Sequence, residues 1–152
     1  MKDTRLKIEN LITAKYQFRT IYKGAHPEAI LAEECERRGS KRGALGVFYA
    51  GSGEYHEKSS GFDEAIMPLE IVVAVADLDK MFKDNRGESN ADFLVETGFG
   101  IMAKLLANMN PDTNVFLETG GTGSPLNFSI QGEGGVSTFE IAVSYKKRFA
   151  KT

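Results

Sequence analysis

The clearest hydrophobic pattern in the chain lies between residues 67 and 77. Leu69, Ile71 and Val73 point one way there and further apolar residues point the other way, so both faces of an extended segment are apolar. Glu70 is the exception, near the start of the strand. Strands of this kind are typical of the centre of a sheet that is covered on both sides. The shorter apolar run 43–50 predicts a second buried strand.

Other segments carry helical or alternating patterns. Apolar positions three and four residues apart predict helices over residues 4–18, over 27–39, and between Asn90 and Asn110. Two later strands are predicted over 114–119 and 136–149. In the last strand apolar and polar residues alternate, which indicates one buried face and one wet face.

Three polar or glycine-rich segments are predicted as long loops. They cover residues 51–66, 78–90 and 120–135, and the last of them includes a short strand at 126–130. Long loops in a compact domain are usually functional or disordered. We therefore expect at least two of these loops to contact other chains.

These elements predict one α/β domain of the α+β kind that spans residues 1–152. The expected order is ααββαββ. The expected packing is a sheet of about four strands, mixed or antiparallel, with the helices on one face. A chain of 152 residues is long enough to bury a core without disulfides or metals.

Composition narrows the class of protein. The chain has one cysteine, a net charge of −2 and 41% hydrophobic residues. No internal disulfide is possible, and no apolar stretch approaches the roughly 20 residues of a membrane helix. The charged N-terminus does not resemble a signal peptide. We expect a protein made in the cytoplasm, with no membrane partner.

The charges are distributed unevenly. Residues 1–25 carry six Lys or Arg and two acids, residues 54–96 carry eleven acids and four bases, and the tail after Tyr145 carries four bases and no acid. This split favours contacts between opposite charges on neighbouring subunits, with ordinary solvated surface as the alternative. The candidate interface residues are Asp79, Asp84, Glu88, Lys146, Lys147 and Arg148.

Residues able to bind a metal are few. His26 and His56 are the only histidines and Cys35 is the only thiol, and none forms a paired metal-binding spacing. Glu54, His56 and Glu57 lie close in sequence and would at most hold a weakly bound ion. A polar surface loop is the favoured interpretation, and no metal is predicted.

Catalytic patterns are equally weak. Ser52 follows a strand without the Gly-x-Ser-x-Gly spacing of a nucleophile elbow, and Cys35 lies on the apolar face of its helix. Asp77 and Asp79 end the central strand, where they also serve as strand terminators. The glycines of 119–125 lack the Lys-Ser/Thr of a phosphate loop. The sequence predicts no catalytic residue and no cofactor.

Nucleic acid is not a favoured partner either. The three bases at 146–148 lie between Tyr145 and Phe149, an arrangement that suits an anionic contact but also the solvated end of a strand. A net charge of −2 gives no global attraction to a phosphate backbone. We expect no specific nucleic-acid binding.

The strand run Gly43-Ala-Leu-Gly-Val-Phe-Tyr-Ala-Gly-Ser52, followed by a polar loop and then Leu69-Glu-Ile-Val-Val-Ala-Val-Ala-Asp-Leu78, resembles a phage protein family. It is similar to the tail terminator, or tail completion, proteins of Mu-like contractile-tailed phages. An amphipathic helix ending Ala103-Lys-Leu-Leu-Ala-Asn108 and an alternating strand over 138–149 continue the likeness. The resemblance covers roughly residues 4–149.

The resemblance implies a structural virion protein with no active site. Such a subunit forms a ring, usually a hexamer, on the head-proximal end of the tail tube, stops tube growth, and offers a docking surface to neck and head-completion proteins. The implied partners are further copies of the chain, the tail tube protein, the sheath and the neck proteins. The implied location is the virion tail and neck, with DNA passing through the ring.

Two alternatives remain beside this hypothesis. One is another connector subunit of a phage or injection machine. The other, from a different class, is a small enzyme or ligand-binding domain of ferredoxin-like shape.

Overall fold

A computed structural model describes residues 2–15, 20–22, 43–58, 61–76, 90–118, 125–133 and 136–150. Two helices and seven strands lie within these residues. In chain order they are α1 (Lys2–Thr13), β1 (Thr20–Tyr22), β2 (Ala44–Tyr49), β3 (Glu54–Glu57), β4 (Phe62–Ala76), α2 (Asn90–Ala107), β5 (Val115–Leu117), β6 (Asn127–Glu133) and β7 (Val136–Ala150).

The seven strands form one mixed sheet. Its order is β1-β2-β4-β7-β5, with β3 on the outer side of β4 and β6 on the outer side of β7. Only the β1–β2 pair is parallel among these strands. The strands β4 and β7 pair along 15 residues each, from Phe62 opposite Ala150 to Ala76 opposite Val136. Every other strand is short and covers only part of this central pair.

The main core lies between the sheet and the two helices. On β4 the residues Leu69, Ile71, Val73 and Val75 point to one face, because side chains alternate along a strand. Phe139, Ile141 and Val143 of β7 lie opposite three of them in register. Ile8 and Ile12 of α1, with Leu94, Ile101 and Leu105 of α2, close this core from above.

A smaller cluster occupies the other face of the sheet. Ala44, Val72, Ala74 and Val136 are buried there, and Phe48 packs against them. The Phe48 ring lies over Gly46, two residues earlier in β2, where a side chain would collide with it. Residues 71–75 of β4 are therefore buried on both faces of the sheet, as their uninterrupted apolar run predicts.

Several sequence predictions are confirmed. The fold is mixed α+β, and both described helices pack on one face of the sheet. The predicted strand 43–50 is β2, the run after residue 67 belongs to the central strand β4, and the helix between Asn90 and Asn110 is α2. Val73 is 0% exposed, as a central position requires.

The predicted strand count and order are wrong. The described residues contain seven strands, not about four, and their order is αββββαβββ rather than ααββαββ. The loop predicted over 51–66 contains β3 and the first residues of β4. The short strand predicted at 126–130 is the longer strand β6. The predicted helix 27–39 lies outside the described residues.

The first part of β4 was not predicted as a strand, because it contains charged residues and Pro68. Pro68 falls between Ile66, which faces β3, and Leu69, which faces β2, so neither strand pairs with it on that side. A proline is tolerated in a strand where no ladder hydrogen bond needs its missing N–H. The helix α1 is shorter than predicted, since it ends at Thr13 rather than near residue 18.

Candidate functional site

The far end of the β4–β7 pair lies outside the core. We define the ribbon end as residues 54–58, 62–66 and 146–150, which belong to β3, its following residue, and the adjoining ends of β4 and β7. None of these residues belongs to either core cluster. A strand of 15 residues is about 50 Å long, well beyond the usual five or six residues. The side chains of the ribbon end therefore lie outside the two packed clusters.

The basic cluster of the C-terminal tail lies on the ribbon end, but it does not form one patch. Lys146 and Arg148 point to the face opposite the described helices, and Lys147 points to the other face, because side chains alternate along β7. Lys146 pairs with Glu118, with Nζ 3.5 Å from Oε2. The three bases that are adjacent in sequence are thus divided between two surfaces.

Arg148 lies at the centre of a compact cluster. Its register partner on β4 is Glu64, and the Nε–Oε2 distance is 3.7 Å. The guanidinium also lies 5.5 Å from the ring centre of Phe62 and 5.1 Å from that of Phe116. Lys58 approaches the second carboxylate oxygen of Glu64 at 3.8 Å. The Glu64 side chain is only 7% exposed, so two cations compensate a largely buried carboxylate.

The opposite face of the ribbon end carries an aromatic pair. Tyr55 and Phe149 stack with ring centres 6.4 Å apart, and Lys147 Nζ lies 5.4 Å from the Phe149 ring. The Tyr55 hydroxyl donates a hydrogen bond of 2.9 Å to Asp63 Oδ2. Tyr55 is 65% exposed, so much of its ring surface is accessible to another molecule.

The ribbon end is electrically balanced. It contains four bases, Lys58, Lys146, Lys147 and Arg148, and four acids, Glu54, Glu57, Asp63 and Glu64. Two bases of the predicted basic tail, Lys146 and Arg148, are paired with acids of the same chain. Its role at an interface would depend on aromatic surface and geometry more than on net charge.

Replacing Arg148 tests this cluster. We expect Arg148→Ala to lower the free energy of unfolding by about 1–2 kcal/mol, because two cation–π contacts and one ion pair are lost together. The neighbouring change Lys147→Ala removes a single cation–π contact and should cost under about 1 kcal/mol. Urea unfolding of both variants measures the difference. Equal losses for the two variants would show that the Arg148 cluster does not stabilise the protein more than the single Lys147 contact does.

The remaining candidate residues from the sequence are not gathered into a catalytic or metal site. Asp77, Asp79, Asp84, Glu88 and Cys35 lie outside the described residues. Within the described part of the chain, no group of three or more His, Cys, Asp or Glu residues is placed to hold a metal ion.

The three residues considered as a weak metal site, Glu54, His56 and Glu57, do not lie on one face of the sheet. Residues 54–57 form the strand β3 and not a loop. His56 Nε2 lies 3.5 Å from Glu54 Oε2 on one face, while alternation turns Glu57 to the other face.

An open groove of about 480 Å³ lies on the sheet face opposite the two helices. Pro68, Glu70, Ala142 and Ser144 form its floor, and residues 127–129 form one wall. Glu140 also lines it and accepts hydrogen bonds from Gln131 Nε2 at 3.0 Å and Ser129 Oγ at 3.4 Å. Its lining includes no His, Cys or Lys, so carboxylates are its only side-chain bases.

Two side chains beside the ribbon end have shifted pKa values. The Lys7 ammonium, 2.9 Å from Asp112, holds the pKa of that carboxyl below its ordinary value, with help from the Thr113 amide. This ion pair ties α1 to the turn before β5. Burial raises the pKa of Tyr145 above its ordinary value, and its hydroxyl has no hydrogen-bond partner among the described residues.

Sequence reasoning missed the aromatic members of the ribbon end and the exposed apolar residues of β6. Phe128 and Ile130 are 44% and 52% exposed, and they alternate with polar residues. The sequence predicts a short strand at 126–130, but the alternation does not show that these apolar side chains stay exposed. Phe62, Phe116 and Tyr55 contact Arg148 or Phe149 of β7, and no local sequence pattern predicts that these distant segments come together.

No family model matches the chain, and no curated protein matches it. Among the residues that the structure describes, no helix is both long enough and apolar enough to span a membrane. The functional conclusion accordingly depends on the geometry of the described surfaces and on the sequence resemblance.

Proposed function

We propose that the chain is a structural assembly subunit of a contractile phage tail, acting as a tail terminator. In this proposal, copies of the chain form a ring, expected to be a hexamer, on the head-proximal end of the tail tube. The ring stops tube growth and offers a surface to neck and head-completion proteins. The chain acts by fitting against other proteins and not by catalysis.

The single observation that supports this proposal best is the ribbon end. It extends beyond the core and contributes nothing to either buried cluster, yet it is held in shape by its own ion pairs and stacked rings. Ordering residues outside a core costs conformational entropy that burial there does not offset. A contact with a neighbouring subunit would offset that cost.

A ring requires two different surfaces on each subunit that fit each other. We assign the ribbon end, with Lys147, Tyr55 and Phe149, to one of them. The acidic residues Asp79, Asp84 and Glu88 remain the proposed counterpart on the neighbour. Exposed ion pairs contribute under about 1 kcal/mol each, so they would set the register of the ring while the aromatic surface supplies most of the affinity.

The test compares wild type with Lys147→Glu in a tube-termination assay. Tail tubes are polymerised from the tube protein of the genome that encodes the chain, and their lengths are measured by electron microscopy. Wild type should stop growth, and Lys147→Glu should stop it less efficiently, since the reversed charge would face the acidic residues of the neighbour. Lys104→Glu is the control, because it reverses the same charge on α2, which is not part of the ribbon end.

The possible outcomes test the terminator function and the role of the ribbon end separately. Tubes that keep growing with wild-type protein would overturn the terminator function. Normal termination by Lys147→Glu would leave the function intact and overturn the role of the ribbon end. Thermal melts of the variants confirm that a loss of termination does not come from unfolding.

One observation favours a second candidate function, a small ligand-binding domain. The groove of about 480 Å³ falls in the size range of small-molecule sites. With Glu70 and Glu140 in its lining, it would suit a cationic ligand. A rise in melting temperature with a small cationic ligand, lost in Glu140→Gln, would favour this function.

A further inference from the structure

The strand β6 is an open edge of the sheet. It pairs with β7 along its seven residues and with no other strand in the part of the chain that the structure describes. All six residues from Asn127 to Gly132 are exposed. An edge strand presents a row of unpaired N–H and C=O groups to any strand that can approach it.

Edge strands are usually protected against such pairing. Lysine, proline or an inward-pointing charge is the common device. The sequence Asn-Phe-Ser-Ile-Gln-Gly-Glu contains no lysine, arginine or proline, and its single charge, Glu133, is at the end. This edge lacks the features that keep strands apart.

An apolar surface continues from this edge onto α2. Phe128 stacks on the buried ring of Phe139 at 4.9 Å, and Phe99 of α2 meets Phe128 edge-on at 5.3 Å. Phe99, Phe128 and Ile130 are 48%, 44% and 52% exposed. Leu106, two helical turns after Phe99 and 41% exposed, extends the surface along the same side of α2.

The sequence of β6 is complementary to itself in antiparallel pairing. If two copies pair about a twofold axis at Ile130, the opposed residues are Ile130 with Ile130, Ser129 with Gln131, Phe128 with Gly132, and Asn127 with Glu133. The Phe128 ring would cover the glycine of the other copy, which is a favourable cross-strand arrangement. Two polar side chains meet on the opposite face, and no like charges are opposed.

We propose that β6 is a self-docking edge through which two copies of the chain pair antiparallel, centred on Ile130. The two sheets become one continuous sheet, and a twofold axis perpendicular to it keeps both α2 helices on the same side. The exposed stripes of Phe99 and Leu106 then approach their counterparts across the axis. The pairing is a property of the free subunit and does not depend on the terminator function.

Sedimentation across a range of protein concentrations tests the proposal. Wild type should shift from monomer to dimer as concentration rises. Ile130→Lys places two ammonium groups opposite each other at the axis, so this variant should remain a monomer. Ile130→Val keeps the apolar contact and should dimerise as wild type does. A wild type that stays monomeric, or an Ile130→Lys variant that dimerises equally, overturns the proposal.

A cross-link tests the register and does not depend on the folding of the lysine variant. In a Cys35→Ala background, Ile130→Cys should give a covalent dimer under oxidised glutathione, because the two Cβ atoms are directly opposed. Tyr55→Cys, at a similarly exposed site on the ribbon end, should not. Equal cross-linking of both variants would contradict the proposed axis. Neither experiment contains tail tubes, so its failure leaves the terminator function untouched.

Discussion

Val73→Asp is expected to abolish folding. Val73 is 0% exposed, and its neighbours in register are Leu45 on β2 and Phe139 on β7, both in the main core. No described cation lies in that core to pair with a carboxylate. An unpaired buried charge costs several kcal/mol, which is comparable to the roughly 5–15 kcal/mol stability of a typical domain.

Two controls make this prediction specific. Val73→Thr keeps the shape but buries a hydroxyl, and it should lower stability by about 1–3 kcal/mol without preventing folding. Ala150→Asp introduces the same charge at an exposed position of β7 and should melt close to wild type. Circular dichroism melts compare the three variants. A cooperative melt of soluble Val73→Asp would contradict the central position of β4.

Gly98→Ala is expected to destabilise the protein although alanine favours helices. A Cβ at position 98 would lie 2.5 Å from two ring atoms of Phe139, well inside contact distance. That ring is fully buried and packs against both Phe99 and Phe128, so it has little room to move. Overpacking of this kind costs about 1–3 kcal/mol.

Gly100 on the same helix is the matched control. It is only partly buried, so Gly100→Ala should raise stability by up to about 1 kcal/mol through helix propensity. Combining Gly98→Ala with Phe139→Leu should recover part of the loss, since leucine is smaller than the ring it replaces. Urea unfolding measures all three. A Gly98→Ala variant as stable as Gly100→Ala would show that α2 does not depend on close approach to β7.

The sequence predicts an element of this fold only where the local pattern of apolar and polar residues is strong. The continuous apolar run 71–76 identifies a central strand, because burial on both faces leaves no polar position in it. The first residues of β4 escape prediction, since Asp63, Glu64 and Pro68 resemble a loop. They are a strand because β3 and β7 flank them, and such pairing partners are not encoded locally.

The candidate site shows the same limit. Lys146, Lys147 and Arg148 were predicted as interface residues from their charge alone. The structure places them on the ribbon end, but their partners Glu64 and Glu118 come from other strands or the residues beside them. Charge counting along a sequence cannot find such neutralisation, since it depends on strand register.

The most direct test of the central claim is a cryo-electron microscopy reconstruction of tail tubes incubated with the purified chain. We expect a closed ring of copies on one end of each tube, with the ribbon end of each subunit against its neighbour. Tubes with both ends bare at saturating protein would contradict the proposed terminator function.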